Sequence, residues 1–326
     1  MISMQDIADR LGVSRSTVSL VLSGKAGSRV SEDVKKKVFQ IARELHYHVN
    51  DVARSLRTGA SKLIGAIVTD ISNEFFGRLT FHIQEEAKKA GYLVLTVNTN
   101  EDPRDFEETV RVLIGKQVDG IIAVPPPGGD DTVAYIKEMG VPVVTVDRPG
   151  VGVDFVGIDN YASSRSAVEG LLLDGFRSIS LVALDLDIDP LNQRRDAYVD
   201  AMKERGLGDK IDIRLIPFGR EEEYDIPSLL KGLRNVDAVY FTSRRAFTQG
   251  MAHLAITGQI LPEDQCLLCF DDVQPYLTVH SNIRYVEQPV GEMAGKAFDL
   301  LMEQIRGERI PGRYIFPTRC ISNRKY

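Results

Sequence analysis

The spacing of hydrophobic positions changes along the chain and divides it into two parts. In residues 1–49, apolar residues recur every three or four positions, which is the period of an amphipathic helix. From Leu63 onward, short apolar runs of strand length alternate with helical stretches such as Phe76–Gly91 and Phe106–Lys116. The pattern predicts a small N-terminal all-α head followed by a larger α/β body.

Capping residues divide the head into three short helices. Ser3 can cap the first helix, which Gly12 ends. Ser14 can cap a second helix, which stops at Gly24, and Ser31 begins a third. Two short helices joined by a glycine-containing turn and supported by a third form the helix-turn-helix arrangement.

The second of these helices lies in the stretch "GVSRSTVSLVLSGK", residues 12–25. Its apolar positions, which we expect to pack on the other two helices, are Val13, Val18, Val21 and Leu22. Arg15, Ser16, Ser19 and Leu20 should then project outward. Arg15 can contact guanine, Ser16 can pair with several bases, and Leu20 can lie against a thymine methyl group. This favours a DNA-recognition helix over a small solvated bundle without a ligand.

Eight apolar runs of the body are predicted strands, in two series. The first comprises "KLIGAIV", "YLVLTV", "DGIIAVP" and "VPVVTVD", and the second "SISLVAL", "IDIRLIP", "DAVYFTS" and "QCLLCFDD". Their alternation with helices predicts two doubly wound lobes, each with a parallel sheet. Such sheets bind ligands at the carboxyl ends of their strands. Polar residues follow several strands at that end: Asp70, Asp147, Arg148, Ser243, Arg244, Asp271 and Asp272.

Charge is distributed unevenly between the two parts. The net charge is −6, yet residues 1–60 hold ten Lys or Arg against six Asp or Glu. A basic head on an acidic body fits a phosphate-binding module joined to a regulatory domain, although a solvated basic face would give the same count. No apolar run approaches the roughly 20 residues of a membrane span, and the N-terminus is amphipathic. We therefore expect a cytoplasmic protein without membrane association.

Motifs for catalysis are missing from the sequence. We find no G-x-S-x-G, no G-x-x-x-x-G-K-[ST] and no H-E-x-x-H. Cys266 and Cys269 form a C-x-x-C, but in a strand this spacing points the two thiols to opposite faces. We therefore predict no metal site, no cofactor and no enzyme. An enzyme on the same α/β body, or an exported solute-binding protein, is the alternative, and the head disfavours the latter.

The order and spacing of these motifs resemble the LacI/GalR family of transcriptional regulators over essentially the whole chain. The resemblance is carried by "MQDIADRLGVSRSTVSLVLSG", "VSEDVKKKVFQIARELHYHVNDVARSLRTGASKLIGAIV", "VPVVTVDRP", "VGIDN" and "LLCFDD". It implies a helix-turn-helix domain at residues 1–49, a hinge helix or linker at 50–61, and a periplasmic-binding-protein-like body. The implied lobes are 62–160 with 290–318, and 161–289 with 319–326. The chain should cross between them near Asn160, near Gln288 and close to its C-terminus.

The family's DNA contacts map onto the head and the hinge. The matching positions are Ser14, Arg15, Ser16, Thr17, Ser19, Leu20, Arg29, Asn50, Ala53, Arg54 and Leu56. The hinge segment is about two turns long, too short to be stable alone, and in the family it folds on DNA while a leucine matching Leu56 enters the minor groove. A plain linker is the alternative. Many relatives carry a basic residue where this chain has Leu20, so base preference there stays open.

The family's effector contacts map onto the body. The matching positions are Phe75, Asp147, Arg194, Arg244, Asp271 and Gln288. Carboxylates and a guanidinium suit a polyhydroxylated ligand or an anion. Asp271 could instead only cap a turn, and Arg194 could only form a salt bridge between the lobes.

Two further expectations follow from the resemblance. Relatives commonly have Asn-Asp where this chain has Arg244 and Arg245, which favours an acidic effector, such as a sugar phosphate or sugar acid, over a neutral sugar. Tetramer-forming relatives carry an extra C-terminal helix after the position where this chain stops, at "CISNRKY". We therefore expect a homodimer on a pseudo-palindromic double-stranded operator, controlled by a small effector.

Overall fold

The computed structural model describes residues 2–24, 26–47, 59–219, 226–259, 261–277, 280–307 and 311–323. The chain divides into two compact units, residues 1–61 and 62–326, which we call the head and the body. In the described part of the chain, no helix has the length and apolar character needed to cross a membrane.

The head contains three helices, α1 (Met4–Leu11), α2 (Arg15–Leu22) and α3 (Glu32–Glu44). Ser3 and Asp6 form a capping box at α1, in which the Ser3 N–H donates to the Asp6 carboxylate at 2.7 Å. At α2 the Ser14 hydroxyl accepts the Thr17 N–H at 3.1 Å. Ser31 occupies the N-cap position of α3, but its side chain makes no capping hydrogen bond, contrary to our expectation.

Apolar side chains from all three helices form one small core. The buried members are Ile7, Ala8, Val18, Val21, Ala26, Val38 and Ala42. Leu20 is half-buried and packs against this core, so it projects outward less completely than the helical pattern predicts. The core fixes which side of α2 faces solvent.

The body alternates strands with helices. Its strands are β1 (Leu63–Val68), β2 (Leu93–Asn98), β3 (Gly120–Ala123), β4 (Val143–Val146), β5 (Asp154–Ile158), β6 (Ile179–Asp185), β7 (Asp212–Pro217), β8 (Ala238–Phe241), β9 (Cys266–Phe270), β10 (Ile283–Glu287), β11 (Arg313–Phe316) and β12 (Arg319–Ser322). Its helices are α4 (Glu74–Lys89), α5 (Pro103–Gly115), α6 (Asp130–Glu138), α7 (Asn160–Leu173), α8 (Asp189–Glu204), α9 (Ile226–Leu229), α10 (Arg244–Ile256) and α11 (Val290–Ile305).

These strands form two six-stranded sheets, one for each lobe. The first has the order β11-β5-β4-β3-β1-β2, and all its neighbouring strands are parallel. The second has the order β12-β10-β9-β8-β6-β7, in which β12 pairs antiparallel with β10 and the other pairs are parallel. The prediction of two doubly wound lobes is confirmed, with one antiparallel edge strand that the apolar runs did not indicate.

The chain passes between the lobes three times. It leaves the first sheet after β5, returns to the first lobe after β10, and crosses again between β11 and β12. Helix α11 then packs on α4 and on β3, β4 and β5 of the first lobe. Because both strand orders reverse at their first strand, β1 or β6, the carboxyl ends of the strands on either side of that point form a crevice suited to a ligand.

Candidate ligand-binding cleft and nucleic-acid interface

Helix α2 presents its hydroxyl-rich N-terminal turn to solvent. Ser14, Arg15 and Ser16 are exposed, whereas Thr17 and Ser19 are half-buried. The Ser14 hydroxyl lies 2.7 Å from that of Ser16 and 2.8 Å from that of Thr17. These short side chains leave the start of the helix slim enough to enter a DNA groove.

Two cations accompany this turn. Arg15 is exposed and makes no hydrogen bond or ion pair with any described residue, and Arg29 lies exposed in the short turn Gly27–Arg29 between α2 and α3. The remaining predicted DNA contacts, Asn50, Ala53, Arg54 and Leu56, lie outside the described residues.

A cavity of about 70 Å³ lies between the two lobes of the body, at the carboxyl ends of the strands. Five of the six predicted effector contacts line it together: Phe75, Asp147, Arg194, Asp271 and Gln288. Arg244 does not line this cavity but borders a smaller one of about 20 Å³, which shares Phe75, Asp271 and Gln288 with the first.

The wall of the larger cavity combines charged and apolar side chains. Four carboxylates and three guanidiniums contribute to it, namely Asp70, Glu101, Asp147, Asp271, Arg148, Arg194 and Arg245. Its apolar part includes Phe75, Phe76, Leu184, Leu186, Ile188, Leu191 and Phe218. The cavity is therefore not predominantly cationic, because its four carboxylates outnumber its three guanidiniums.

Arg194 is held rigidly at the base of the cavity. It is only 4% exposed, and its Nε and Nη2 donate to Asn160 Oδ1 at 2.9 and 2.7 Å. Its Nη1 donates to the Thr242 carbonyl at 2.8 Å, and the guanidinium lies over the Phe270 ring at 3.6 Å. The interlobe salt bridge considered for Arg194 is therefore not formed with any described carboxylate.

Asp147 and Asp271 follow β4 and β9, and both have left-handed backbones, with φ of 67° and 83°. Burial raises the pKa of Asp147 above its ordinary range, although Arg148 and Arg194 oppose the rise. Asp271 accepts a 2.5 Å hydrogen bond from Gln288 Nε2. Asp147 is thus positioned at the cavity by its turn, and Asp271 is positioned both by its turn and by Gln288.

Arg148 is neutralised within the first lobe. Its Nη1 and Nη2 donate to the two carboxylate oxygens of Glu101 at 2.5 and 2.7 Å, and Nη1 also lies 3.2 Å from the Pro125 carbonyl. Arg148 is 7% exposed, so this is a bidentate pair in a poorly hydrated setting.

Three ion pairs bridge the lobes beside the cavity. Arg245 Nη1 lies 2.8 Å from Asp70 Oδ2, Arg244 pairs with Glu74, and Arg78 Nη1 lies 3.3 Å from Asp272 Oδ2. Both arginines from which an acidic effector was expected therefore have carboxylate partners in the opposite lobe.

Three buried polar atoms at the cavity have no hydrogen-bond partner among the described residues. They are Thr69 Oγ1, Arg148 Nε and Gln288 Oε1, in side chains that are 0%, 7% and 5% exposed. Buried polar atoms are nearly always hydrogen-bonded in folded proteins. A ligand that carries both donors and acceptors, as a sugar does, can satisfy all three.

Several of these residues were not predicted as site residues from the sequence. Glu74 and Glu101 help to neutralise or close the cleft, and so do Asp70, Arg148 and Asp272, which were noted only as strand ends. Each of these residues follows a strand or lies in the first turn of α4. This position is visible in the sequence, but it does not reveal which charged residue will be the partner.

Comparison with known proteins matches both units to family models. Residues 3–50 match the model "Bacterial regulatory proteins, lacI family", and residues 64–309 match "Periplasmic binding protein domain". The chain belongs to the LacI family. It is a DNA-binding transcriptional regulator with a periplasmic-binding-protein-like body, as the sequence predicted, and its relatives are regulators rather than enzymes.

Three relatives illustrate the likeness of this LacI-family chain. The ribose operon repressor of Halalkalibacterium halodurans is 27% identical over 98% of this chain and 96% of its own. A periplasmic binding protein/LacI regulator from Alkaliphilus metalliredigens, solved with D-xylulofuranose, is 26% identical with a TM-score of 0.70, covering 80% of this chain and 97% of its own. The lac repressor dimer bound to operator and an anti-inducer shares the fold, at 18% identity, TM-score 0.80 and coverage of 98% and 97%.

Among the residues that the structure describes, no group of three or more His, Cys, Asp or Glu side chains is placed so that it could hold a metal ion. Cys266 and Cys269 are both buried and point into different hydrophobic clusters on the two faces of β9. The two thiols therefore do not converge on one ligand.

Proposed function

We propose that this regulator binds a pseudo-palindromic operator as a homodimer and that a neutral sugar, held between the two lobes, changes its affinity for DNA. The observation that carries the proposal is the interlobe cavity. Asp147, Arg194 and Asp271 meet there with three buried polar atoms that have no described hydrogen-bond partner. This combination of fixed polar groups with aromatic walls suits a small polyhydroxylated molecule.

A sugar, D-xylulofuranose, is the ligand in the structure of one relative, and another relative is named a ribose operon repressor. We propose a neutral sugar rather than a sugar phosphate or sugar acid. An acidic effector would need a cation to receive it. Arg244, Arg245 and Arg148 already have carboxylate partners, and Arg194 donates to Asn160 and to the Thr242 carbonyl. Two further carboxylates, Asp147 and Asp271, would repel an anion.

On the DNA side, we assign direct base contacts to the exposed turn of α2, with Arg15 as the main sequence-reading residue. Ser14, Ser16, Thr17, Ser19, Leu20 and Arg29 complete the proposed head surface. We assign the hinge role to residues 50–61, with Asn50, Ala53, Arg54 and Leu56 as contacts.

The lac repressor is a dimer on its operator, and a two-fold operator would require two heads here as well. A regulator that binds operator DNA acts in the cytoplasm.

Sugar binding and DNA binding are linked in this proposal through lobe closure. We assign residues 62–160 with 290–318 to one lobe and residues 161–289 with 319–326 to the other. A sugar that contacts both lobes favours one interlobe angle, and in this proposal the affinity for DNA depends on that angle. Each ligand then alters the affinity for the other by the same factor, with a coupling of about 1–3 kcal/mol.

The test uses the full chain in two steps. Selection from random duplex DNA should enrich a site with two half-sites about one helical turn, or a multiple of it, apart. Fluorescence anisotropy on the enriched duplex at fixed salt is then repeated with neutral monosaccharides. At least one sugar should change the operator Kd by about 5–150-fold. If selection enriches no sequence, the DNA assignment is wrong; if no sugar changes Kd or Tm, the effector assignment is wrong.

A further inference from the structure

We propose that Asp70 is a specificity-determining residue, an internal counter-ion that occupies Arg245 and thereby makes the interlobe cavity select neutral ligands over anionic ones. The inference rests on the proposed function for the identity of the neutral ligand. Its central claim, that the Asp70 carboxylate keeps anions away from Arg245, can be tested without knowing that ligand.

Asp70 is oriented toward Arg245 by its own turn. Its Oδ1 accepts the Ser72 N–H at 2.9 Å and the Ser72 hydroxyl at 2.5 Å, which leaves Oδ2 to meet Arg245 Nη1 at 2.8 Å. Arg245 is held from its other side by the Phe218 ring, 4.5 Å from the guanidinium carbon. Both charged side chains line the cavity, so the pair forms part of the surface that a ligand meets.

An anionic ligand would have to compete with this carboxylate. The two other guanidiniums of the cavity are committed, Arg148 to Glu101 and Arg194 to Asn160 and the Thr242 carbonyl. The Arg245 side chain is more exposed than either of them, so it is a cation at which a ligand anion can replace a protein anion. The Asp70 side chain is 21% exposed and the Arg245 side chain 29%, so a ligand can reach the pair.

A neutral sugar meets no such competition. Its hydroxyl groups can donate to Asp147 and Asp271 and need no counter-charge from the protein. The carboxylates lining the cavity outnumber its guanidiniums by four to three. Removing one negative charge at Asp70 equalises these numbers and leaves Arg245 without its Asp70 carboxylate.

The chain supplies a control carboxylate away from the cleft. Glu107 pairs with Arg111 in an exposed setting, and neither residue lines either cavity. Glu107→Gln therefore removes one negative charge from the body without changing the charge of the cavity. Asp70→Asn removes one negative charge at the cavity, so the difference between the two variants isolates the counter-ion effect.

The experiment measures ligand affinity of the full chain by isothermal titration and thermal shift. The probes are two aldoses, D-ribose and D-glucose, their aldonates D-ribonate and D-gluconate, and inorganic phosphate. In Asp70→Asn, the ratio of aldonate to aldose affinity should rise about tenfold or more, because an anion gains a charge-assisted bond with Arg245. Phosphate should stabilise this variant more than the wild type, and Glu107→Gln should behave as the wild type.

A second variant verifies that Arg245 receives the anion. In the double variant Asp70→Asn/Arg245→Gln, the gain for aldonates and phosphate should disappear. The amide oxygen introduced by Asp70→Asn can still accept the Ser72 hydrogen bonds, so the turn after β1 should persist, and circular dichroism reports the fold. If Asp70→Asn did not fold, Asp70→Ser should show the same gain for aldonates and phosphate over the wild type, and absence of that gain in the folded variant would overturn the proposal.

Other results would also overturn the counter-ion role. These are an unchanged aldonate-to-aldose ratio with unchanged phosphate binding in Asp70→Asn, an equal gain in Glu107→Gln, or a gain that survives Arg245→Gln in the double variant. A different set of results would show that the neutral-sugar assignment is wrong. In that case no aldose binds any variant, while phosphate still stabilises Asp70→Asn selectively and the counter-ion role stands.

Discussion

Replacing Asp147 by asparagine should stabilise the unliganded body and weaken sugar binding. Asp147 has a left-handed backbone with φ of 67°, a conformation that asparagine tolerates better than most residues, and the two side chains have nearly the same shape. The substitution therefore changes charge and little else. It separates the cost of burying this carboxylate from its proposed benefit to the ligand.

The structure indicates the size of the cost. The Asp147 side chain is 8% exposed and accepts no hydrogen bond from the described residues, and its nearest ion-pair partner, Arg148 Nε, is 3.7 Å away. A buried polar group without a hydrogen bond costs about 1–3 kcal/mol. We expect Asp147→Asn to recover about 1–2 kcal/mol at pH 7, and a body of this size gains about 2–4 °C in Tm per kcal/mol.

The effect should depend on pH in a defined direction. Burial raises the pKa of Asp147 in the folded protein. At pH values between the ordinary pKa and the raised one, the folded protein therefore holds a proton that the unfolded chain has already lost. The stability of the wild type should therefore fall as pH rises from about 4 through the raised pKa, a component that the Asp147→Asn variant lacks. The advantage of the variant should be small in acid and largest near neutral pH.

Calorimetry between pH 4 and 8, with and without the selected sugar, measures both effects. Loss of a charge-assisted hydrogen bond should weaken sugar binding about 10–100-fold in Asp147→Asn. A variant that is less stable than the wild type at pH 7, or equally favoured at every pH, would show that burial of Asp147 carries no net cost. Unchanged sugar affinity would show that Asp147 does not contact the ligand.

Two further substitutions test the DNA surface and the buried ion pair. Arg15→Ala should relax base choice at one position in each half-site and cost about 1–3 kcal/mol of binding free energy on the operator, because Arg15 is exposed and available for bidentate base contact. Fluorescence anisotropy on operator and random duplexes measures this loss. Glu101→Ala should destabilise the body by about 3–5 kcal/mol in urea unfolding, because it leaves the Arg148 guanidinium buried without its carboxylate.

Controls are available for both substitutions. Arg43 is an exposed cation on α3, so Arg43→Ala should leave base choice unaltered. Glu107 pairs with Arg111 in an exposed setting, so Glu107→Ala should cost under about 1 kcal/mol. Equal losses on operator and random DNA would remove Arg15 from base reading. Equal losses for Glu101→Ala and Glu107→Ala would contradict a special role for the buried pair.

Local patterns were sufficient for most of the elements of this protein. The capping serines Ser3 and Ser14 and the glycine that ends α1 act within four residues of their partners, so their effect is visible in the sequence. Long apolar runs such as "KLIGAIV" likewise predicted strands at the correct places. The short strands β11 and β12 are partly exposed and lack such runs, so only pairing with β5 and β10 defines them.

The sequence alone determined that a hydroxyl-bearing helix in a basic head precedes an acidic α/β body with polar residues after its strands. Only the tertiary structure decided how the cleft charges combine. Arg245 and Asp70 are 175 residues apart, and a sequence lists charges without their partners. The two arginines that suggested an anionic ligand bind carboxylates of the opposite lobe, because folding brings the ends of β1 and β8 together. Electrostatic balance depends on distances of a few ångströms, and the fold sets those distances.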